Sequence, residues 1–184
     1  MAGTETHTTL PTPDLADIAP KLLIVVSPYY QNIADHLLAG AKAAITAAGA
    51  QFDVAHVPGA LEIPPAIRIA SASGTYAGFV ALGCVIRGET THYETVCNDS
   101  SYGLTQLGLQ GLAIGNGILT VENRAQAVVR ADIAGQNKGA GAANAALHLI
   151  ALDHRFNKRT KGIGFKPASE NVLMAGNPRD KSNA

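Results

Sequence analysis

The segment Arg87-Gly88-Glu89-Thr90-Thr91-His92 follows directly on an apolar run and holds a guanidinium, a carboxylate, two hydroxyls and an imidazole. Gly88 lets the backbone come close to a ligand. Thr90 and Thr91 precede a helical pattern, so free N–H groups and the positive end of a helix dipole should gather there. That is a ready anion site, suited to a phosphate. His92 at the helix start can take or give a proton near neutral pH. A lone histidine in such a place usually caps local structure; beside Gly-Glu-Thr-Thr and a strand end it points to proton transfer.

Other reactive types occur at corresponding places. Ser27-Pro28-Tyr29-Tyr30 follows one apolar run, and Val57-Pro58-Gly59-Ala60-Leu61-Glu62-Ile63-Pro64 follows the next. Tyr29 could stack on a planar ring or merely pack. Glu62 could complement a helix dipole or accept N–H groups of a heterocycle. Gly115-Asn116-Gly117 adds an amide within a further run, and Arg130 and Lys138 flank the start of the last helix, where they could hold a second anion contact. Arginine is the better phosphate fork. Aromatic, carboxylate, hydroxyl, imidazole and amide groups are thus expected at one edge of a sheet.

The elements that must position these groups alternate. Lys21–Ser27, Gln51–Val57, Gly78–Ile86 and Ala113–Thr120 read as strands. The short apolar run of the first suits a parallel strand buried on both faces. Helices are expected from Asn32, with Asp35 three residues on, to Ala48; from Pro64-Pro65 to Ala72; from His92 to about Gly108; from a cap pairing Asn123 with Gln126 to Ala131; and from Asn137 to Asp153. The fold class is α/β: a three-layer sandwich with a four-stranded parallel sheet and helices on both faces. In open sheets of this kind ligands bind beyond the carboxyl ends of the strands, here just after residues 27, 57, 86 and 117.

Residues 1–20, with prolines at 11, 13 and 20, read as a tail or arm ill suited to adding an edge strand. Residues 155–184 read as a basic, solvated tail, with seven Lys/Arg against Glu170 and Asp180. The body between them, 21–154, is one domain. The whole chain of 184 residues carries no net charge, with 14 Lys+Arg and 14 Asp+Glu. That argues against a nucleic-acid binder, which needs a basic excess for phosphates. With 47% hydrophobic residues it is too apolar for a disordered chain. No apolar run approaches the roughly 20 residues of a membrane span, and no secretory signal is visible, so a cytoplasmic protein is expected. Cys84 and Cys97 make neither a disulfide framework nor a zinc site, and the six histidines lack metal-ligand spacing. There is no G-x-x-x-x-G-K-[ST] loop and no G-x-S-x-G elbow. Alanine and glycine supply 51 residues and tryptophan none, so each copy buries little large apolar area. Oligomerisation is the natural remedy.

Four blocks carry a resemblance. VPGALEIP (Val57–Pro64), ALGCVIRGETTHYETVCNDSSYGL (Ala81–Leu104), GNGILTVEN (Gly115–Asn123) and QNKGAGAANAAL (Gln136–Leu147) resemble, in order, the signature blocks of the lumazine synthase family. The resemblance covers roughly Lys21–Leu152 and leaves out both tails. It implies a flavodoxin-like fold, in keeping with the strand–helix reading. It also implies condensation of 5-amino-6-(D-ribitylamino)uracil with 3,4-dihydroxy-2-butanone 4-phosphate, without metal or redox cofactor. The partners implied are these two small molecules and further copies of the chain, in a pentamer with active sites between adjacent subunits.

Position by position, the resemblance implies that Tyr29 stacks on the pyrimidine. Ala60, Leu61 and Glu62 bind the pyrimidine and ribityl groups, and Cys84, Val85 and Ile86 line the same site. Gly88, Glu89 and Thr90 bind the butanone phosphate, with Arg130 as charged partner and Lys138 assisting. His92 transfers protons, and Asn116 reaches the pyrimidine from the adjacent subunit. Many members have an aromatic residue where this chain has Asn116. Asp132-Ile133-Ala134-Gly135 departs from the Gly-Thr-Lys-Ala pattern of shell-forming members, so a free pentamer is expected.

Overall fold

Five consecutive aliphatic residues, Leu22–Val26, are buried on both faces of the first strand, β1 (Lys21–Val26). A strand that meets water on neither face must be covered twice, and that requirement sets the rest of the architecture. The computed structural model of the chain describes residues 10–161. The order after β1 is α1 (Gln31–Ala47), β2 (Gln51–His56), a 3-10 turn (Ala60–Glu62), α2 (Ile63–Ser71), β3 (Gly78–Ile86), α3 (His92–Leu109), β4 (Ile114–Val121), α4 (Arg124–Ala131) and α5 (Lys138–Lys161). All neighbouring strands are parallel, in the order β2-β1-β3-β4. This is the flavodoxin-like three-layer sandwich that the sequence suggests.

Alternate residues of the central strands feed two cores. Leu22, Ile24, Val26, Val80 and Leu82 pack with residues of α1, α4 and α5. Leu23, Val25, Phe79 and Ala81 pack with Ile63 and Ile67 of α2 and with Leu104 and Leu107 of α3. Each fully buried side chain of this size stabilises the fold by about 1.5–3 kcal/mol. Where α5 crosses the sheet, small residues bring the backbones together. A Cβ on Gly115 would lie 1.8 Å from the Ala142 carbonyl oxygen, and one on Gly139 would lie 2.0 Å from that of Leu37.

The helix ends follow local chemistry, with corrections to the sequence reading. Asn123 caps α4 by accepting from the Gln126 N–H at 3.0 Å, and the Gln126 side chain accepts in return from the Glu122 N–H at 3.0 Å. Pro64 and Pro65 occupy the first turn of α2, where no N–H is needed. Asn32, in contrast, is not a cap: α1 already begins at Gln31, Tyr30 precedes it without a side-chain cap, and Gln31 bonds Asp35 at 2.8 Å. The last helix continues past Asp153 to Lys161, so its start was legible and its end was not. Residues 10–20 form no strand; Leu15 is buried and its N–H donates to Ala48 at 2.9 Å. Residues 1–9 and 162–184, including Lys166, Arg179 and Lys181 of the expected basic tail, lie outside the described residues.

The strand register creates a step. Val26, the end of β1, pairs with His56, the end of β2, on one side and with Leu82 on the other. β3 and β4 run on together to Ile86 and Val121. From Leu82 to Ile86 the taller half of the sheet rises about 13 Å above the shorter half, at ~3.3 Å per residue. The site lies against this step.

Candidate active site

β1 and β3 are the strands between which the chain order reverses, and the segments after them diverge. Such a switch point opens a crevice at the carboxyl end of a parallel sheet. Here it holds a cavity of about 460 Å³. Tyr29 and Tyr30 line it from the low side, Cys84, Val85 and Ile86 from the exposed wall of β3, and Gly59, Ala60, Leu61 and Glu62 from the turn after β2. Gly88, Thr90, His92, Tyr93 and Val96 close the side formed by the loop before α3 and its first turns. Ten of the predicted site residues therefore share one crevice: Tyr29, Ala60, Leu61, Glu62, Cys84, Val85, Ile86, Gly88, Thr90 and His92. Glu89 sits in the same loop but does not line the cavity.

The loops are tied at their roots. The Ser27 hydroxyl, buried at the top of β1, donates to the Pro58 carbonyl at 3.3 Å, and the Ser27 N–H donates to Leu82 at 2.9 Å. The segments after β1 and β2 and the wall of β3 are joined there. Tyr29 presents an exposed ring, set edge-on to Tyr30 with centroids 5.1 Å apart and planes at 74°. Its open face can stack on a planar ligand. Glu62 ends the 3-10 turn, exposed, with its side chain beside Gly59. Nothing stands within 4 Å of where a Cβ on Gly88 would lie, so the space above that backbone is open.

His92 is the first residue of α3 and is exposed, and no protein group among the described residues bonds its imidazole. Thr91 precedes the helix without capping it through its side chain; in the first turn the Glu94 carboxylate accepts from its own N–H, and the other first-turn N–H groups have no side-chain acceptor among the described residues. An anion placed beside Gly88 and Thr90 meets those donors and the positive end of an 18-residue helix. Burial pushes the Cys84 thiol up to about 11, against a smaller opposing pull from the Arg124 guanidinium. Burial likewise raises the Tyr30 and Tyr93 phenols, so all three stay protonated at neutral pH.

Three predicted residues stand apart. Asn116 does not reach the strand-end edge where the sequence reading put it. It pairs with Ala81, five residues below the Ile86–Val121 pair, or about 16 Å down the sheet at ~3.3 Å per residue. There it is exposed, accepts the Ile118 N–H at 3.0 Å and lines a second, larger groove of about 590 Å³ whose walls include Leu104, Leu109, Leu149 and Phe156. Arg130 lies in the last turn of α4, where Nη1 donates to the Gln126 carbonyl at 3.0 Å. Lys138 is exposed at the start of α5. None of the three lines the crevice, and among the described residues no lysine or arginine does so.

Sequence reasoning missed Tyr30, Tyr93 and Val96 as wall residues. The tyrosines adjoin residues already singled out, and the position of Val96 one turn beyond His92 on the same helix was the available signal. It also missed the role of Arg87 as a partner of Glu94 and Glu122.

The model of the family described as 6,7-dimethyl-8-ribityllumazine synthase matches residues 19–154. A 6,7-dimethyl-8-ribityllumazine synthase of Jannaschia sp. is 52% identical over 147 residues, covering 80% of this chain and 83% of that protein. Those of Novosphingobium aromaticivorans (55% over 137 residues, 74% and 99%) and Azorhizobium caulinodans (55% over 141 residues, 73% and 87%) are similar to a like degree.

Proposed function

The chain belongs to the 6,7-dimethyl-8-ribityllumazine synthase family, and we propose that it is the transferase that condenses 5-amino-6-(D-ribitylamino)uracil with 3,4-dihydroxy-2-butanone 4-phosphate. The products are 6,7-dimethyl-8-ribityllumazine, phosphate and water. The observation that carries the reading is the gathering of an open aromatic face, a carboxylate, an uncapped helix start and an unengaged imidazole in one crevice.

In this reading Tyr29 stacks on the pyrimidine, and Ala60, Leu61 and Glu62 hold its polar edge and ribityl chain against Cys84, Val85 and Ile86. Gly88, Glu89 and Thr90 bind the phosphate at the start of α3. The uracil's amine attacks the ketone and forms an imine with loss of water. A proton is removed and phosphate leaves, and the ribitylamino nitrogen then attacks the remaining carbonyl carbon and closes the ring with loss of a second water. His92 stands where it can carry protons in imine formation and elimination. Holding both substrates in one geometry lowers the barrier by up to ~7–11 kcal/mol in ideal cases.

Among the described residues no lysine or arginine lines the crevice, and Arg124 acts on Cys84 and Tyr30 from outside that lining, which supports a site shared between copies. Arg130, Lys138 and Asn116 then belong to the adjacent subunit's contribution, and the assembly is a pentamer. A cytoplasmic location is part of the same proposal; the unpaired Cys84 and Cys97 fit a reducing compartment. The test is to mix the purified chain with both substrates and follow lumazine absorbance and released phosphate. One-to-one formation of the two supports the reading, and their absence at high protein concentration overturns it.

A further inference from the structure

Arg87 is the arginine nearest the phosphate loop in sequence, and its place invites the role of phosphate ligand. Its contacts point elsewhere. It follows the end of β3, where its N–H donates to the Val121 carbonyl at 3.0 Å. Its side chain then meets three groups on two other elements. Nε donates to Glu122 Oε2 at 2.7 Å, in the turn between β4 and α4, and Nη1 donates to Glu94 Oε1, in the first turn of α3. The guanidinium lies over the Tyr93 ring, 4.1 Å from its centroid. Tyr93 lines the crevice, between His92 and Glu94 in sequence. Two carboxylates against one guanidinium leave this corner with a net negative charge, which does not attract a phosphate.

We propose that Arg87 is a positioning residue: it clamps the first turn of α3 to the β4–α4 turn and so fixes His92 and the phosphate loop against the wall of β3. The fork geometry matters, because one planar group must satisfy acceptors on two elements while stacking on a ring. A lysine supplies the charge without the fork. Loop 88–91 makes no side-chain hydrogen bond of its own among the described residues, so its placement depends on its two ends. Arg87 anchors both, through its backbone at one and through Glu94 and Tyr93 at the other.

The inference rests on the condensation proposed above, and its test separates the two. Arg87→Met and Arg87→Lys are compared with the unaltered full chain for kcat, for KM of the butanone phosphate and for amide hydrogen exchange over residues 88–95. Displacement of a reacting group by about 1 Å costs about 10²-fold. Arg87→Met is therefore expected to lower kcat by about 10–10²-fold, with KM changed less than about threefold, and to speed exchange over 88–95 by at least about tenfold. Arg87→Lys should recover part of kcat, because the charge and one hydrogen bond remain. A raised KM with kcat intact would make Arg87 a phosphate ligand, and unchanged kcat and exchange would remove it from the site's construction. Either result overturns the inference. If the unaltered chain is inactive, the proposed function fails alone, and exchange still decides the clamp. Should Arg87→Met not fold, Glu94→Gln combined with Glu122→Gln weakens the clamp from the other side and must speed the same exchange.

Discussion

Cys84 lies in the wall of the crevice, and a thiol beside the ketone of the proposed substrate invites the suspicion of covalent catalysis. The structure predicts the opposite. The side chain is buried on β3, and burial penalises the thiolate and carries the thiol from an ordinary 9.0 to about 11. At pH 8 the thiolate fraction is then ~10⁻³, against ~10⁻¹ for an ordinary exposed thiol. Alkylation by iodoacetamide should be about 10²-fold slower than for a thiol in a short peptide, since the thiolate is the reacting species. The sign with pH follows: the logarithm of the rate should climb by one per pH unit through pH 10, where an exposed thiol has already levelled off. Tandem mass spectrometry of timed digests reads Cys84 and Cys97 separately, with unfolded protein as the control in which both react alike. Cys84→Ala should keep kcat within about fivefold, because the side chain supplies a wall and no bond to carbon. Reaction of Cys84 within about threefold of the peptide rate would refute the burial argument, and loss of turnover in a folded Cys84→Ala would refute the non-covalent mechanism.

His92→Ala should slow turnover by about 10²–10⁴-fold yet leave measurable product, because positioning persists without the proton carrier; wild-type turnover in a single-turnover assay would remove His92 from the chemistry. Gly139→Ala and Gly115→Ala each force a methyl against a backbone carbonyl, 2.0 Å from that of Leu37 and 1.8 Å from that of Ala142. Each should destabilise by at least about 1–3 kcal/mol in urea titration, whereas Gly141→Ala, which meets nothing within 4 Å, should not. Arg130→Ala should weaken the phosphate substrate mainly through KM. Subunits of that variant, unfolded and refolded together with His92→Ala subunits, should show activity at low phosphate substrate above that of either variant alone; no gain would place Arg130 and His92 in the same site of one chain.

The sheet was legible because its two central strands are apolar runs and because strand segments alternate with helices whose starts are readable. His92 begins α3 and Asn123 caps α4 where the sequence puts them, since each start is set by local chemistry. The crevice was legible for the same reason: parallel strands send their following segments to one edge, and the reactive residue types of three such segments are contiguous in sequence. What failed depends on register or on packing. The expected strand Ala113–Thr120 already held Asn116 in its interior, so expecting its amide at the strand-end edge conflicted with that range; the register sets it opposite Ala81, five residues below the strand end. Asn32 and Asp35 look like a helix start, but the turn at Tyr29-Tyr30 lets the helix begin sooner. The Arg87–Glu94–Glu122 cluster joins residues up to 35 positions apart, a pairing that no single-segment reading contains.

The register also says what one chain can and cannot do. The step at β3 gives the ring-binding half of the crevice a floor, a wall and an aromatic face from a single subunit. Among the described residues no lysine or arginine lines the other half: Arg87 is held by two carboxylates, Arg130 and Lys138 do not line the cavity, and Arg124 acts on Cys84 and Tyr30 from outside the lining. A helix dipole alone is worth roughly 0.3–1 kcal/mol for an exposed anion, a weak hold for the phosphate of the proposed substrate. Meanwhile β4 exposes Asn116 and Thr120 on the face that α2 and α3 leave uncovered, beside the apolar groove holding Leu109, Leu149 and Phe156. A half-site lined by no cation and an uncovered sheet face on the same molecule both fit the proposed shared site, in which a neighbouring copy would cover the face and supply the charge. On that proposal catalysis and assembly would share a cause, because the register that lowers Asn116 from its own site also sets it on the face a neighbour would cover.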